Sequence, residues 1–377
     1  MHVLLAIGTR PEAIKVAPLY HALRSDPFFS VTTCITSQHR ELLQQMLVFF
    51  DVRPDVDLQV MQPRQTLADL TCNVLRGADQ LLAQTRPDLV IVQGDTTTAF
   101  TVGLAAMYQR IKVAHVEAGL RTHNKWAPFP EEVNRRIAGV VADLHFAPTD
   151  WSRNNLLREG VDENIIKVTG NTVIDALQFV AKQPEPIEVK ELLEKLQVDK
   201  SARRLILVTA HRRENFGEPI ENICRALIEL AGRGDVEIVY PVHLNPNIQE
   251  PVQRLLKGVE HIALLPPLDY LPLVHLMKHA YMILTDSGGI QEEAPAFGIP
   301  TLVLRDVTER PEGVAAGTLK LTGTETAKIT FEAKHLLDEP SAYRAMAQSA
   351  NPYGDGHAAV KIVEALIQQG KSTIQSG

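Results

Sequence analysis

The sequence predicts an α/β protein with two doubly wound domains that face each other across a cleft, and two observations favour this class. Short, continuously apolar runs alternate with helical patterns along the chain, as expected of parallel strands that are buried on both faces. These runs also fall into two sets, separated by a polar stretch. The predicted strands are 3–7, 31–36, 89–92, 112–116, 144–147 and 166–169 in the first set, and 205–209, 236–242, 261–265, 281–285, 301–304 and 319–321 in the second.

The domain boundaries follow from the same pattern. Residues 1–181 are predicted to form the N-terminal domain, and residues 204–355 the C-terminal domain. The stretch 182–203 between them is polar and contains two prolines, which indicates a linker with a surface helix. A last helix, 356–370, is expected to pack back on the N-terminal domain.

Composition and charge argue against several classes of protein. The 377 residues suffice for two domains of ordinary size, and 45% apolar with 22% charged residues is typical of a soluble globular protein. A net charge of -7 argues against binding nucleic acid or acidic membranes, and no apolar run reaches the roughly 18 residues of a membrane span. The apolar N-terminal run is soon followed by charged residues, which indicates a strand and not a signal peptide. Three isolated cysteines favour a reducing, cytoplasmic location and argue against structural zinc.

Residues 281–293 combine a predicted buried strand, a glycine turn and the start of a helix. Gly288 and Gly289 allow a tight turn and the close approach of another group to the backbone. A helix that starts after Ser287 presents unpaired N–H groups and the positive end of its dipole, which favours an anion such as phosphate. Glu293 lies about one turn into this helix, where a carboxylate would repel phosphate and more readily accept hydrogen bonds from hydroxyl groups, as ribose would supply. The alternative is an ordinary helix start at a glycine turn.

The residues that directly follow the strands of the first set are candidates for a site, because ligands of such sheets bind beyond the carboxyl ends of the strands. Arg10 follows the first strand and suits recognition of phosphate, or is a solvated side chain at a helix start. Asp95 follows the third strand, and it is either a functional carboxylate of the site or part of a helix N-cap. Glu117 ends the fourth strand among small residues, which favours function. Glu131 starts a helix, either as a third carboxylate of the site or as a partner of the helix dipole.

The second set has cationic residues in equivalent positions. His211 stands at a strand tip before two arginines, which favours contact with an anion over a purely structural role. His243 follows the next strand, and Arg310 follows the strand after the glycine turn, near the predicted anion site. The motifs GxGxxG after the first strand, GxxxxGK[ST], HExxH and GxSxG are absent, which disfavours nicotinamide-dependent enzymes, P-loop NTPases, zinc proteases and serine hydrolases.

Ten motifs run in order from the first strand to the last helix: GTRPEAIK (8–15), QGDTTTAF (93–100), HVEAGLRT (115–122), PFPEEVNRR (128–136), TGNTVIDAL (169–177), TAHRREN (209–215), YPVHLNP (240–246), TDSGGIQEEAP (285–295), ERPEG (309–313) and NPYGDG (351–356). Together they resemble the non-hydrolysing UDP-N-acetylglucosamine 2-epimerases of bacteria. The resemblance implies two Rossmann-like domains of the glycosyltransferase-B type, with nucleotide bound by the second, and a homodimer. It also implies interconversion of UDP-GlcNAc and UDP-ManNAc without a cofactor or metal, which supplies ManNAc for cell-surface polysaccharides.

The resemblance further implies how individual residues act. In this family UDP leaves the anomeric carbon as the C-2 proton is removed, giving 2-acetamidoglucal, and UDP adds back after a proton arrives on the other face. Asp95, Glu117 and Glu131 match the candidate acid–base carboxylates, and His211 matches the essential histidine, near the pyrophosphate. The residues that match contacts to the nucleotide or sugar are Arg10, Lys15, Arg135, Leu273 (under the uracil), Ser287, Gly288, Gly289, Glu293 and Arg310.

Some members of this family bind a second UDP-GlcNAc as an activator beside the active site. Its contacts match Gln38, Arg64, Arg212 and His243. The pattern departs at Glu41, where activator-binding members can have glutamine, and a carboxylate there disfavours a diphosphate unless an arginine pairs with it. The alternative is that Arg64 and Arg212 are solvated or pair with Glu41.

Three other functions are open at this point. A glycosyltransferase on the same scaffold would use a nucleotide sugar as donor and would not invert C-2 in that substrate alone. A hydrolysing epimerase would release free ManNAc and UDP. A nucleotide-sugar sensor would bind without turnover, although such a protein has no need of three carboxylates in its cleft.

Overall fold

The computed structural model describes residues 1–37, 40–62, 64–198 and 203–375. It divides into two compact units. Met1–Ala176 together with Tyr353–Gly377 form the first unit, and Leu177–Pro352 form the second. Over the described ranges, no helix is both long enough and apolar enough to span a membrane.

Each unit contains one parallel sheet, which confirms the prediction of two doubly wound, Rossmann-like α/β domains. The strands described in the first unit are β1 (His2–Ile7), β2 (Ser30–Ile35), β3 (Val56–Asp57), β4 (Leu89–Gln93), β5 (Lys112–Val116), β6 (Leu144–Ala147) and β7 (Ile166–Val168). Those described in the second are β8 (Arg204–Thr209), β9 (Val236–Pro241), β10 (Ile262–Leu265), β11 (Met282–Thr285), β12 (Thr301–Val303) and β13 (Leu319–Leu321). The strand orders are β3-β2-β1-β4-β5-β6-β7 and β10-β9-β8-β11-β12-β13.

Helices follow most strands, as the alternating pattern of the sequence predicts. The helices of the described residues are α1 (Arg10–Ser25), α2 (Arg40–Phe49), α3 (Leu67–Thr85), α4 (Thr97–Tyr108), α5 (Glu131–Val141), α6 (Asp150–Arg158), α7 (Thr172–Ala181), α8 (Ile187–Lys195), α9 (Glu218–Ala231), α10 (Pro246–Leu256), α11 (Tyr270–His279), α12 (Gly288–Glu293), α13 (Pro311–Ala315), α14 (Thr326–Asp338), α15 (Pro340–Ala347) and α16 (Ala358–Gln375). The boundary between the two units falls within α7.

The strands are stable at the centre of each unit because they are apolar on both faces. β4 and β11 are buried along their whole length. In the second unit, one buried cluster joins the sheet to α9 and α14, with Ile206, Ile223 and Leu336 among its members. Burial of one such side chain contributes roughly 1.5–3 kcal/mol, so the sheets form firm supports for the loops at their ends.

The strand orders place a switch point in each sheet, where consecutive connections run in opposite directions. This point lies between β1 and β4 in the first unit and between β8 and β11 in the second. Ligands of open α/β sheets bind at such points, beyond the carboxyl ends of the strands. The loops that begin at Gly8, Gly94, Ala210 and Asp286 follow these four strands.

The C-terminal helix belongs to the first unit, with the chain from Tyr353 onwards. Asp175 accepts hydrogen bonds from the backbone N–H groups of Ala358 and Ala359, at 3.1 and 2.9 Å, and so caps the start of α16. β3 was not predicted from the sequence, because a strand of two residues is too short to form an apolar run.

Residues 182–203, the expected linker, lie within the range of the second unit. They include α8, which buries Val189 and Leu193. The polar residues of α8 therefore belong to a helix that also has an apolar side.

Candidate active site

Glu117 follows β5 and is buried, with only 8% of its surface exposed. Its backbone lies in the left-handed region, at φ 63°, a conformation that costs a non-glycine residue roughly 1–3 kcal/mol. Lys15 Nζ lies 2.5 Å from Glu117 Oε1, and Asn171 Nδ2 donates to the same oxygen at 3.3 Å. Gln93 Nε2 donates to Oε2. Donors from three different parts of the first unit thus hold this carboxylate at the carboxyl end of the sheet.

Asp95 lies in the loop after β4, and α5 supplies its partners. Arg135 Nη2 forms an ion pair with Asp95 Oδ2, and Asn134 Nδ2 donates to the carbonyl oxygen of Asp95 at 2.9 Å. The fully buried Glu132 accepts a hydrogen bond from Arg135 Nη1 at 3.1 Å. One guanidinium is therefore shared by two carboxylates, one buried and one partly exposed to solvent.

Glu131, the third predicted carboxylate, is the first residue of α5 and is half-buried. It precedes Asn134 and Arg135 by three and four residues, which places it on the side of the helix that contacts Asp95. Its carboxylate forms no ion pair or hydrogen bond with another residue in the described part of the chain. Among the described residues, Glu131 therefore differs from Asp95 in having no partner for its charge.

A buried glutamate that no sequence pattern singled out joins two of these loops. Glu12, only 1% exposed, accepts hydrogen bonds from the N–H of Gly8 at 3.0 Å and from the hydroxyl of Thr96 at 2.7 Å. It thus connects the loop after β1 to the loop after β4. Burial raises the pKa of Glu12 to about 7, against the opposing effect of its hydrogen bonds. Arg10, between Gly8 and Glu12, begins α1 and is half-buried.

His115, on β5, supports the loop that carries Asp95. Its Nε2 lies 2.7 Å from the carbonyl oxygen of Gly94, and burial lowers the pKa of His115 to about 3. The imidazole is therefore neutral at physiological pH and donates through Nε2–H. The loop bends at Gly94, which has φ 71°, a conformation that favours glycine.

In the second unit, acidic side chains hold the guanidinium of Arg310. Its Nε donates to Glu292 Oε1 at 2.9 Å, and its Nη1 donates to Glu309 Oε2 at 2.9 Å. Burial raises the pKa of Glu309, but Arg310, Arg305 and Arg212 outweigh it and bring that pKa down to about 2. Glu309 is therefore ionised at neutral pH and fixes the arginine beside the glycine turn.

The strand, glycine turn and helix that the sequence predicts are present. Ser287 precedes α12, which continues into a 3-10 turn at Ala294–Phe297. The guanidinium of Arg310 lies against Gly288, where a Cβ would be 2.7 Å from Nη1, so a larger residue does not fit without a shift of the arginine. Around Gly289 there is more space, because the nearest heavy atom to a Cβ there would be Ser287 Oγ at 4.0 Å.

Glu293 and Leu273 lie in the same part of the second unit. Glu293 is buried and accepts a hydrogen bond from the hydroxyl of Tyr270 at 2.7 Å. Tyr270 begins α11, and the half-buried Leu273 follows it by three residues, on the same side of that helix. The contact between Tyr270 and Glu293 therefore places the predicted uracil and ribose contacts on neighbouring helices.

His211 follows β8, the neighbour of β11. Its ring stacks on that of His243, with 5.5 Å between ring centroids and 16° between ring planes. The buried Asp286 accepts hydrogen bonds from the backbone N–H groups of His211 and Arg212, both at 2.8 Å. The structure thus brings two histidines and an arginine together at the switch point of the second sheet.

The residues predicted to bind an activator fall in both units. Arg212 and His243 lie with His211 in the second unit, whereas Glu41 and Arg64 lie in the first unit and are exposed. Arg64 has a left-handed backbone at φ 59°, and it forms no ion pair with Glu41 in the described structure. Gln38 lies outside the described residues. No group of three or more metal-ligating side chains occurs in the described ranges.

Comparison with known proteins gives consistent results over nearly the whole chain. The family model described as UDP-N-acetylglucosamine 2-epimerase matches residues 21–367. The chain is 53% identical over 369 residues to the UDP-N-acetylglucosamine 2-epimerase of Escherichia coli strain K12, covering 97% of this chain and 98% of that relative.

Solved structures show the same fold. The UDP-GlcNAc 2-epimerase from Neisseria meningitidis bound to UDP-GlcNAc is 48% identical, with a TM-score of 0.90, and the match covers 98% of this chain and 100% of that one. The UDP-GlcNAc 2-epimerase from Methanocaldococcus jannaschii in complex with UDP-GlcNAc and UDP is 32% identical, with a TM-score of 0.80, and the match again covers 98% of this chain and 100% of that one.

Proposed function

Because the chain belongs to the UDP-N-acetylglucosamine 2-epimerase family, we propose that it interconverts UDP-GlcNAc and UDP-ManNAc by elimination and re-addition of UDP. The observation that carries the proposal is the set of three carboxylates, Asp95, Glu117 and Glu131, after β4, after β5 and at the start of α5. Carboxylates are suited to removing and returning a proton. A protein that only binds a nucleotide sugar has no use for three of them.

The reaction needs two groups of residues because two bonds break. The C–H bond at C-2 of the sugar is not next to a carbonyl group, so its proton is weakly acidic. Elimination solves this problem, since the electrons of that bond form a C-1–C-2 double bond while the C-1–O bond breaks and its electrons leave with UDP. Return of a proton to the other face of C-2, followed by attack of UDP on C-1, gives the epimer.

The carboxylates of the first unit are proposed to act on the sugar. Glu117 is held close to Lys15, and Asp95 is paired with Arg135. Such partners fix the position and the direction of each carboxylate. Glu131 forms no ion pair in the described part of the protein, and it starts the helix that also carries Arg135.

The cationic groups of the second unit are proposed to bind UDP and to stabilise it as it leaves. Arg310 is fixed by two carboxylates, and its guanidinium lies against Gly288 at the start of α12. His211 and Arg212 follow the neighbouring strand. Positive charge and N–H groups held in place before the reaction lower the cost of the developing negative charge on the pyrophosphate.

Incubation with UDP-GlcNAc alone tests this function. The expected result is UDP-ManNAc, detected by proton NMR of the reaction mixture, with no free sugar. Accumulation of free ManNAc and UDP would indicate a hydrolysing enzyme instead. An unchanged nucleotide sugar that turns over only when an acceptor is added would indicate a glycosyltransferase.

We further propose that a second UDP-GlcNAc activates the enzyme. Arg212 directly follows His211, so a ligand on Arg212 would act on the loop that carries His211. The Nε of Arg212 is buried and has no hydrogen-bond acceptor in the described ranges, which suits an anionic ligand. Glu41, exposed in the first turn of α2, opposes this role unless an arginine pairs with it.

A further inference from the structure

Asp286 is a fully buried carboxylate at the switch point of the second sheet. It directly follows β11, and His211 follows β8, the strand beside it. Three donors converge on Asp286 Oδ2. These are the backbone N–H groups of His211 and Arg212, both at 2.8 Å, and the side-chain Nδ2 of Asn215, at 2.9 Å. With three donors on one oxygen, the direction of the other oxygen is fixed.

That other oxygen, Oδ1, is directed at the imidazole of His211. It lies 3.6 Å from His211 Nδ1, and it has no hydrogen-bond partner among the residues described. A buried carboxylate oxygen without a donor is energetically costly. A small rotation of the imidazole would bring Nδ1 within hydrogen-bond distance and remove this cost.

We propose that Asp286 is a positioning residue that holds the imidazole of His211 with its Nδ1–H towards the carboxylate and its Nε2 towards the ligand. Because an ionised carboxylate can only accept a hydrogen bond, Nδ1 must carry the proton. Nε2 then meets the pyrophosphate and donates to it when the ring is protonated. This role rests on the proposed function, in which His211 stabilises the departing UDP.

Other charged and titratable groups around His211 act against the protonated ring. Burial lowers the pKa of His211, Asp286 raises it, and Arg212 and His243 lower it. His243 is in contact with the ring from the loop after β9, and its own Nδ1 accepts the backbone N–H of Asn245 at 3.0 Å. Asp286 is thus the one group among these that both orients the ring and favours its positive charge.

The substitution Asp286→Asn tests the role with little change of shape. The amide oxygen can still accept the two backbone N–H groups, but the amide nitrogen then faces His211 Nδ1 and requires that atom to be an acceptor. The ring is forced into the other tautomer, as in a catalytic triad whose aspartate is replaced by asparagine. We expect kcat to fall about 100-fold or more, while the matched control Asp306→Asn, at an exposed aspartate of the same unit, stays near the unmodified value.

A double-mutant cycle separates positioning from a general structural effect. If Asp286 acts through His211, then Asp286→Asn should cost less than about threefold in a His211→Asn background, against about 100-fold in the unmodified protein. Equal losses in both backgrounds would overturn the proposal.

Should Asp286→Asn not fold, Asn215→Ala removes one donor to Oδ2 and leaves the carboxylate. A loss of about fivefold that disappears in the His211→Asn background would support the role, and an equal loss in both backgrounds would overturn it.

The tautomer itself can be measured without turnover. In protein labelled with 15N-histidine, the resonances of His211 are assigned by their loss in His211→Asn. A protonated Nδ1 in the unmodified protein supports the proposal, and an unprotonated Nδ1 contradicts it. If the unmodified protein does not convert UDP-GlcNAc, the proposed function is wrong. The tautomer of His211 is measured without turnover, so it still tests the role of Asp286.

Discussion

In the first unit a lysine holds a carboxylate, whereas in the second unit two carboxylates hold an arginine. Lys15 lies 2.5 Å from Glu117, which is the group expected to meet the sugar. Glu292 and Glu309 each lie 2.9 Å from Arg310, which is the group expected to meet the anion. In both places the partner fixes the functional group, and the sign of that group suits a different part of the substrate.

The difference indicates a division of labour between the two sites. A carboxylate held by a cation suits proton transfer at a carbon, and a cation held by carboxylates suits binding of a leaving diphosphate. Substitutions in the first unit should therefore affect turnover at nearly constant UDP affinity. Substitution of Arg310 in the second unit should affect UDP affinity first, whereas substitutions there that act through His211 should lower kcat.

The largest effect is expected for Glu117→Gln. Glutamine keeps the shape but cannot take a proton, its single amide oxygen can accept from only one of Gln93 and Asn171, and it removes the negative charge that faces Lys15. We expect kcat to fall by a factor of about 100 or more, the scale of lost acid–base catalysis.

The measurement for Glu117→Gln is steady-state turnover of UDP-GlcNAc, with UDP affinity determined by calorimetry on the same samples. The matched control Glu364→Gln changes an exposed glutamate of α16 and should leave both values unchanged. Near-normal turnover of Glu117→Gln, or a loss confined to UDP affinity, would contradict the division between the two units. Asp95→Asn and Glu131→Gln are expected to behave like Glu117→Gln.

Arg310→Ala should have the next largest effect and the opposite signature. A lost charge-assisted hydrogen bond is worth about 1.5–3 kcal/mol, so UDP affinity should fall roughly 10- to 150-fold. Calorimetric titration with UDP measures this, and Arg225→Ala, at an exposed arginine of α9, is the control. Unchanged UDP affinity in Arg310→Ala would remove the arginine from the nucleotide site.

Glu12→Gln should change the pH dependence of stability. The pKa of Glu12 rises from 4.5 to about 7 on folding, so its contribution to stability is full below pH 4.5, declines between pH 4.5 and 7 and is lost above pH 7. Glutamine does not titrate, so the gain of the variant over the unmodified protein should grow between pH 4.5 and 7 and reach on the order of 3 kcal/mol above pH 7. Urea denaturation at several pH values measures the gain, and parallel curves for the two proteins would show that Glu12 is not the titrating group.

The smallest effect is expected for Arg64→Ala, which tests regulation. If a second UDP-GlcNAc activates the enzyme, the rate curve of the unmodified protein should be sigmoidal, and a trace of UDP-GlcNAc should start turnover of UDP-ManNAc. In Arg64→Ala the rate curve should become less sigmoidal, because the coupling free energy between the two UDP-GlcNAc sites falls by about 1 kcal/mol. The affinity of the variant for UDP should stay unchanged. A hyperbolic curve in the unmodified protein, with turnover of UDP-ManNAc indifferent to UDP-GlcNAc, would rule out the activator.

The sequence predicts the two parallel sheets and most strands well, because buried strands leave long apolar runs. It also places Glu117 directly after a strand and His211 two residues after one. It does not reveal that Asn171 reaches Glu117, because that contact joins residues 54 positions apart and depends on the folded chain. Asp286 is visible in the sequence only as a change of polarity before a glycine turn. Its relation to His211 requires β8 and β11 to be neighbours, which the order of strands along the chain does not imply.

The measurement that tests the division of labour most directly is turnover in deuterated water. Removal of the C-2 proton by a carboxylate of the first unit, followed by its return from solvent, predicts one deuterium at C-2 of UDP-ManNAc formed from UDP-GlcNAc. Mass spectrometry and proton NMR of the product detect it. Arg310→Ala should still incorporate deuterium in each product molecule that it forms. Product that retains only the original hydrogen at C-2 would contradict proton transfer by these carboxylates.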